Sequence, residues 1–279
     1  MLQCSDDVHS GKTSLCMFPI SDDNSDRHLT PLVNYVIIAI NVLVFILLQG
    51  MGHNLHFTYA FSTVPQEILT NTDVVTQSQM VRDAASGQSF EIPGLQPTPI
   101  PVWLTMVTSM FMHGGWGHLL GNMLFLWIFG DNIENRMGHL RYLVFYLLCG
   151  VLASLAHVYT SAAFGDGSSL LVPSLGASGA ISGIMGAYLI LFPKRRVNVL
   201  LFRFITPVPA IVALGLWILL QVVSGMGALG GTGGGVAYMA HIGGFAAGML
   251  LVKLFDKGQD WVDGELARIR RQGPPGPLG

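Results

Sequence analysis

SLGASGAISGIMGAYLILF (174–192) is the stretch on which the fold turns. It holds no charged residue, yet Ser178 and Ser182 sit among Gly176, Gly179, Gly183 and Gly186. Glycine and hydroxyl groups suit a membrane helix packed among others better than an isolated one. Five further apolar stretches surround it: 32–49, 117–130, 140–158, 205–223 and 236–255. All six are candidates to cross a hydrocarbon core about 30 Å thick, although 117–130, extended upstream by part of 102–116, and 174–192 are weak by strict length. Composition agrees, since 51% of the chain is hydrophobic and 11% charged, against roughly 25% charged residues in a soluble domain. A net charge of −2, with no basic patch interleaved with aromatics, argues against a nucleic-acid partner.

Lysine and arginine set the direction. With the N-terminus inside, the inside segments hold Arg27, Arg136, Arg141, Lys194, Arg195, Arg196, Arg203, Lys253 and Lys257, among others, and the outside segments hold Arg82 alone. This is the positive-inside bias, and a five-span or seven-span count would scramble it. The expectation is an all-α polytopic membrane protein of six transmembrane helices with both termini cytoplasmic. Residues 1–30 would be a polar cytoplasmic tail without a signal peptide. Residues 31–256 would be the membrane domain, and 257–279 a disordered cytoplasmic tail.

The long outside loop, about 50–102, reads as functional or flexible. VWLTMVTSMFMHGGW (102–116) reads as an interfacial segment with Trp103 and Trp116 near its ends. The loop SGMGALGGTGGG (224–235) reads as mobile. Cys149 reads as a small packing residue within a span. Cys4 and Cys16, even with His9 and His28, match no compact zinc pattern, so neither metal nor cofactor is expected.

The polar residues of three spans share a depth. Counted from the inside end at 1.5 Å per residue, Ser178 lies about 24 Å from Lys194, His241 about 18 Å from Lys253, and His118 about 20 Å from Asp131. All three fall in the outer half of the bilayer. Gly179 and Gly183 on the fourth span, with Gly244 and Gly248 on the sixth, provide four-residue spacings that let backbones pack closely. Those spans are expected to be neighbours, with Ser178 near His241.

Serine needs a base to become a nucleophile, and His241 is the candidate. No membrane-buried carboxylate presents itself to orient the histidine, so a dyad fits better than a triad. His118 and Asn122, four apart on one helix face, can donate hydrogen bonds to an oxyanion. The Ser178 backbone N–H can join them if PSLG (173–176) starts a helix there. His113 reads as loop-fixing, Tyr238 as a possible neighbour of His241, and His53 and His157 as interface histidines. Taken singly, each residue has a plainer reading: Ser178 as packing, Asn122 as interhelical glue, His241 as glue or a proton carrier. Together they argue for chemistry, because polar residues inside a membrane are costly.

HGGWGHLLGN (113–122), GASGAISG (176–183) and AHIGGFAAG (240–248), in this order on spans two, four and six, resemble the rhomboid family of intramembrane serine proteases. FGDNIENRMGHLRYLVFYLLCG (129–150) is similar to the family's connection between spans two and three. The resemblance runs from about Met17 to Phe255 and implies a six-helix bundle. It implies Ser178 as nucleophile, His241 as base, and His118 and Asn122 on the oxyanion side. It further implies cleavage of membrane proteins in or beside their transmembrane segments, lateral substrate entry and a movable cap at the fifth loop. A bacterial inner membrane is the expected location. The chain departs from the pattern twice: Trp103-Leu104 stands where many members have Trp-Arg, and Ser182 where some have a tyrosine that packs on the histidine. A catalytically inactive, helix-binding relative is the rival reading. A transporter is disfavoured, because the two halves show no inverted repeat.

Overall fold

The computed structural model of the chain describes residues 17–82, 87, 89–165, 167–201, 203–229 and 236–258. Strand β1 (Met17–Asp22) precedes α1 (Leu32–Leu43), which continues as a π-helical stretch, Val44–Leu48. The long segment after α1, expected from the sequence to be an outside loop, carries α2 (Leu55–Ala60), α3 (Pro65–Thr70) and a hairpin of β2 (Gln79–Arg82) and β3 (Ser89–Ile92). A short helical run, Val102–Phe111, contains α4 (Thr105–Thr108). Then come α5 (Trp116–Met137), α6 (His139–Phe164), α7 (Ser178–Leu191), β4 (Arg196–Leu201), β5 (Phe204–Pro209), α8 (Ala210–Leu229) and α9 (Val236–Phe255). Among the described residues, His139–Phe164 and Tyr238–Phe255 are long and apolar enough to cross a membrane by length and composition.

Two small sheets modify the all-α expectation. β1, β4 and β5 form an antiparallel sheet in that order, with Met17 opposite Leu201 and Arg196 opposite Pro209. Residues 205–209, read from the sequence as the start of a span, belong to the edge strand β5. Pro207 and Pro209 have no N–H to donate, which an edge strand tolerates and a helix interior does not. Helix α8 therefore starts at Ala210 and runs to Leu229, through residues first read as loop. The remainder of that loop (230–235) and the tails at 1–16 and 259–279, which include Cys4, His9 and Cys16, lie outside the described residues.

Helix α7 holds the centre because its glycines allow contact at the backbone. A Cβ on Gly248 of α9 would overlap the carbonyl oxygen of Gly183, and one on Gly244 would overlap that of Gly179. From α7, a Cβ on Gly186 would overlap the Phe245 carbonyl. The α7–α9 pairing expected from the four-residue spacing is therefore real. Cys149 and Ala153 of α6 close the other side of α7, against Gly183 and Gly179. Cys149 is fully buried, as a packing residue should be.

The C-terminal end of α5, the inner end in the orientation expected from the sequence, is a polar hub. The buried Glu134 carboxylate accepts hydrogen bonds from the Val33 and Asn34 N–H groups at 3.0 and 2.8 Å. It thereby caps the first turn of α1, where Pro31 offers no side-chain cap. Asn135 Oδ1 accepts from the backbone of His28 and Leu29. Arg136 makes a two-pronged bond to Asp256 beyond α9, at 3.0 and 2.8 Å. Arg27 pairs with Asp131 at 2.7 Å. At the end of β1, Asp22 accepts from Tyr188 Oη at 2.6 Å and from Asn132 Nδ2 at 2.8 Å. Burial pushes the Asp22 carboxyl up to about 7, outweighing the Tyr188 hydrogen bond, with the Asp131 carboxylate pushing the same way.

The outside loop is built rather than bare. Buried Gln49 donates to Thr58 Oγ1 and to the His113 carbonyl, both at 2.9 Å, and accepts from the His113 N–H. Thr108 Oγ1 donates to the Phe61 carbonyl at 2.8 Å, and Thr63 pairs with Ser174 through reciprocal backbone bonds. These contacts tie the loop to the bundle, so Leu104 in place of the arginine of the expected pattern leaves the loop anchored by other residues. Leu104 is half-buried where that arginine would stand, and Trp103 beside it is exposed.

Candidate active site

Ser178 is the first residue of α7, preceded by Gly176 at φ +123°, a conformation that L side chains rarely adopt. A Cβ on Gly176 would also stand 2.7 Å from both Cε1 and Nε2 of His118. Glycine is thus required twice over, for the turn and for the approach of α5. The Gly176 N–H donates to the Ser109 carbonyl at 2.8 Å, and Ser174 is held by Thr63. The turn is anchored from the outside loop, so α7 starts at Ser178. The N–H groups of its first turn have no partners within the helix, and the positive end of the helix dipole lies there.

His241 comes from α9 and is almost fully buried. Its Nε2 lies 2.9 Å from Ser178 Oγ. The glycine contacts between α7 and α9 explain why the two residues meet: any larger side chain at Gly244 or Gly248 would push the helices apart. His118 Nδ1 accepts the Gly114 N–H at 3.3 Å, which leaves Nε2 as the protonated nitrogen facing the Gly176 turn. Asn122 lies one turn further along the same face. Its Nδ2 is 3.7 Å from the Cβ position at Gly176, and neither amide atom has a hydrogen-bond partner among the described residues. All four residues singled out from the sequence therefore surround one turn of backbone. Beside Ser178 is a small cavity lined by Ser109, Ser154, Ser174, Gly176 and Ala240.

Several neighbours differ from expectation. His113 packs edge-on to His118, with ring centroids 5.1 Å apart; Gln49 holds its backbone, while its ring nitrogens have no hydrogen-bond partner among the described residues. His157 is buried rather than interfacial, while His53 is exposed. Tyr238 has its Cβ against Gly225 of α8. Ser182 donates to the Ser178 carbonyl at 2.6 Å and offers no ring to His241. The ring that does approach His241 is Trp217 of α8, at 5.9 Å and 42°. Gln221, one turn further along α8, places Oε1 2.7 Å from His241 Nδ1. Sequence reasoning missed both α8 residues because it searched for a carboxylate. The available signal was that Gln221 is a lone amide within the apolar run 210–223.

Residues 101–257, more than half of the chain, match the Rhomboid domain. The chain belongs to the rhomboid family, a family of intramembrane serine proteases, and is accordingly a polytopic helical membrane protein. It is 33% identical over 159 residues to Rhomboid protein 1, mitochondrial, of Saccharomyces cerevisiae, an alignment covering 56% of this chain and 43% of that protein. It is 29% identical over 214 residues to the rhomboid protease GluP of Bacillus subtilis, covering 76% of this chain and 35% of that one. RHOMBOID-like protein 12, mitochondrial, of Arabidopsis thaliana is 31% identical over 170 residues, with 56% and 47% covered. The chain spans less than half the length of each of these relatives.

Proposed function

We propose that this protein is an intramembrane serine endopeptidase that hydrolyses peptide bonds in or next to transmembrane segments of other membrane proteins. The observation that carries the reading is the 2.9 Å approach of His241 Nε2 to Ser178 Oγ at the start of α7. His241 takes the hydroxyl proton as Oγ attacks the scissile carbonyl. The developing oxyanion is met by His118 Nε2–H, Asn122 Nδ2–H and the Ser178 backbone N–H. Protonated His241 then gives its proton to the departing amine, and water releases the acyl group by the same steps in reverse order. The partnerless amide of Asn122 supports this role, since a buried polar group without a partner is expensive unless a ligand completes it.

Six spans carry the site in this reading: α1 with its π-helical extension, α5, α6, α7, α8 and α9. They lie in a membrane domain at 31–256, with tails at 1–30 and 257–279 and both ends cytoplasmic. α7 has 14 residues, about 21 Å at 1.5 Å per residue, so it falls short of a hydrocarbon core about 30 Å thick. Ser178 would then stand several ångströms below the outer surface, at the level of a substrate helix. The small polar cavity beside it gives water a place to wait. A bacterial cell membrane is the proposed location, the alignment with the Bacillus subtilis protein covering more of this chain than those with the mitochondrial relatives.

The test uses purified protein in detergent with a single-span substrate. Wild type should cleave it, while Ser178→Ala and His241→Ala should not. A fluorophosphonate should label wild type and spare Ser178→Ala. Equal cleavage by wild type and Ser178→Ala would sink the serine mechanism. A folded wild type that neither cleaves nor labels would favour the inactive, helix-binding relative.

A further inference from the structure

We infer that Gln221 is the positioning residue of the site, a neutral third member behind Ser178 and His241. The inference rests on the reading of those two as the reacting pair. Three helices supply the line: Ser178 Oγ from α7, His241 from α9 and Gln221 Oε1 from α8, with separations of 2.9 and 2.7 Å. A neutral imidazole carries one N–H. For Nε2 to receive the serine proton it must present a lone pair, so the N–H must sit on Nδ1. A buried N–H needs an acceptor, and Gln221 Oε1 is the acceptor present. The amide therefore selects the tautomer that can act as a base and fixes the angle at which the ring meets Oγ.

The surroundings leave this task to α8. Ser182 turns its hydroxyl back to the Ser178 carbonyl, so it gives His241 Nδ1 neither a ring nor an acceptor. Trp217, one turn before Gln221, flanks the imidazole, so α8 contributes both the packing surface and the hydrogen bond. A glutamine suits this depth better than an aspartate. A carboxylate would have to be desolvated, whereas an amide stays neutral and still accepts. The Cys-His-Asn arrangement of papain-like proteases uses a neutral amide for the same purpose on an unrelated fold. Because the acceptor is on a different helix from the base, any displacement of α8 from α9 would uncouple the tautomer from the nucleophile.

The experiment measures kcat, KM and the pH–rate profile of the full chain in detergent for wild type, Gln221→Met and Gln221→Glu. Methionine keeps the length and removes the acceptor. Gln221→Met should lower kcat by about 10–100-fold with KM held within about twofold, since the wrong tautomer slows the chemical step. Gln221→Glu should recover much of that loss. Its acid limb should move to higher pH by about one unit, because a carboxylate beside an imidazolium favours the protonated ring. A wild-type kcat in Gln221→Met would overturn the inference. So would a Gln221→Glu variant with an unmoved acid limb, even if the methionine variant does not fold. Fluorophosphonate labelling of wild type against Ser178→Ala, run in parallel, separates failure of this inference from failure of the serine mechanism. Loss of the labelling difference condemns the mechanism, whereas an intact difference with unchanged Gln221 variants condemns only the role of Gln221.

Discussion

Helix α5 treats its polar residues differently at its two ends. At the inner end Asp131, Asn132, Glu134, Asn135 and Arg136 are matched to partners on the N-terminal segment, the β4 side and the end of α9. At the outer end Asn122 is equally buried, yet neither of its amide atoms has a hydrogen-bond partner among the described residues. One helix thus carries a hydrogen-bonded network that holds the bundle and, under the proposed mechanism, an amide left open for the oxyanion. Burial is common to both ends; at Asn122 it is the missing hydrogen bonds that call for an explanation.

Substitutions at the two ends should fail in different ways. The largest effect is expected at Ser178: the alanine variant should lose about 10⁴-fold or more in cleavage rate while keeping its thermal midpoint. A large fall in that midpoint would mean that Ser178 belongs with the structural network. Asn122→Ala should lose about 10²-fold in kcat, the usual cost of removing an oxyanion donor. Its thermal midpoint should hold or rise, because an unpaired buried amide has been removed. Glu134→Ala should show the opposite pattern. Denaturation in mild detergent should register a loss of about 3 kcal/mol, since two N–H groups of α1 lose a charged acceptor, while fluorophosphonate labelling of the surviving folded fraction stays normal.

The smallest effect concerns pH. The Asp22 carboxyl stands at about 7 in the folded chain, above its ordinary value. Between pH 4 and 7 the folded state therefore holds a proton that the unfolded chain releases, and stability falls as pH rises through that window. Melting curves should show a midpoint that declines from pH 5 to 7.5 in wild type, and a shallower decline in Asp22→Asn. Equal slopes would show that Asp22 does not titrate in this range.

How much of this was legible beforehand depends on the kind of signal. The pairing of α7 with α9 was readable because Gly179, Gly183, Gly244 and Gly248 announce a close helix contact by spacing alone. Depth counting then brought Ser178, His241, His118 and Asn122 together. The sheet was not readable: β1 lies before the first apolar run, and β5 (FITPVP) merges with the start of another. Its β1–β4 pairing joins Met17 to Leu201, about two-thirds of the chain apart, which no local pattern encodes. Gln221 was hidden for a related reason. Its partner is set by the rotation of α8 about its own axis, and a search for carboxylates excluded it by charge.

The strand β1 carries one more consequence, for the order in which the molecule is made. Met17 pairs with Leu201, so the first strand to leave the ribosome has no partner until most of the chain has followed. At synthesis rates of about 5–20 residues per second, that wait is on the order of 10–40 s. During it, α1 can be inserted, but the Glu134 cap on its first turn and the sheet beneath it come later, in that order. The sheet therefore closes only after α7, with Ser178 at its far end, has been synthesised, because β4 follows it in the chain.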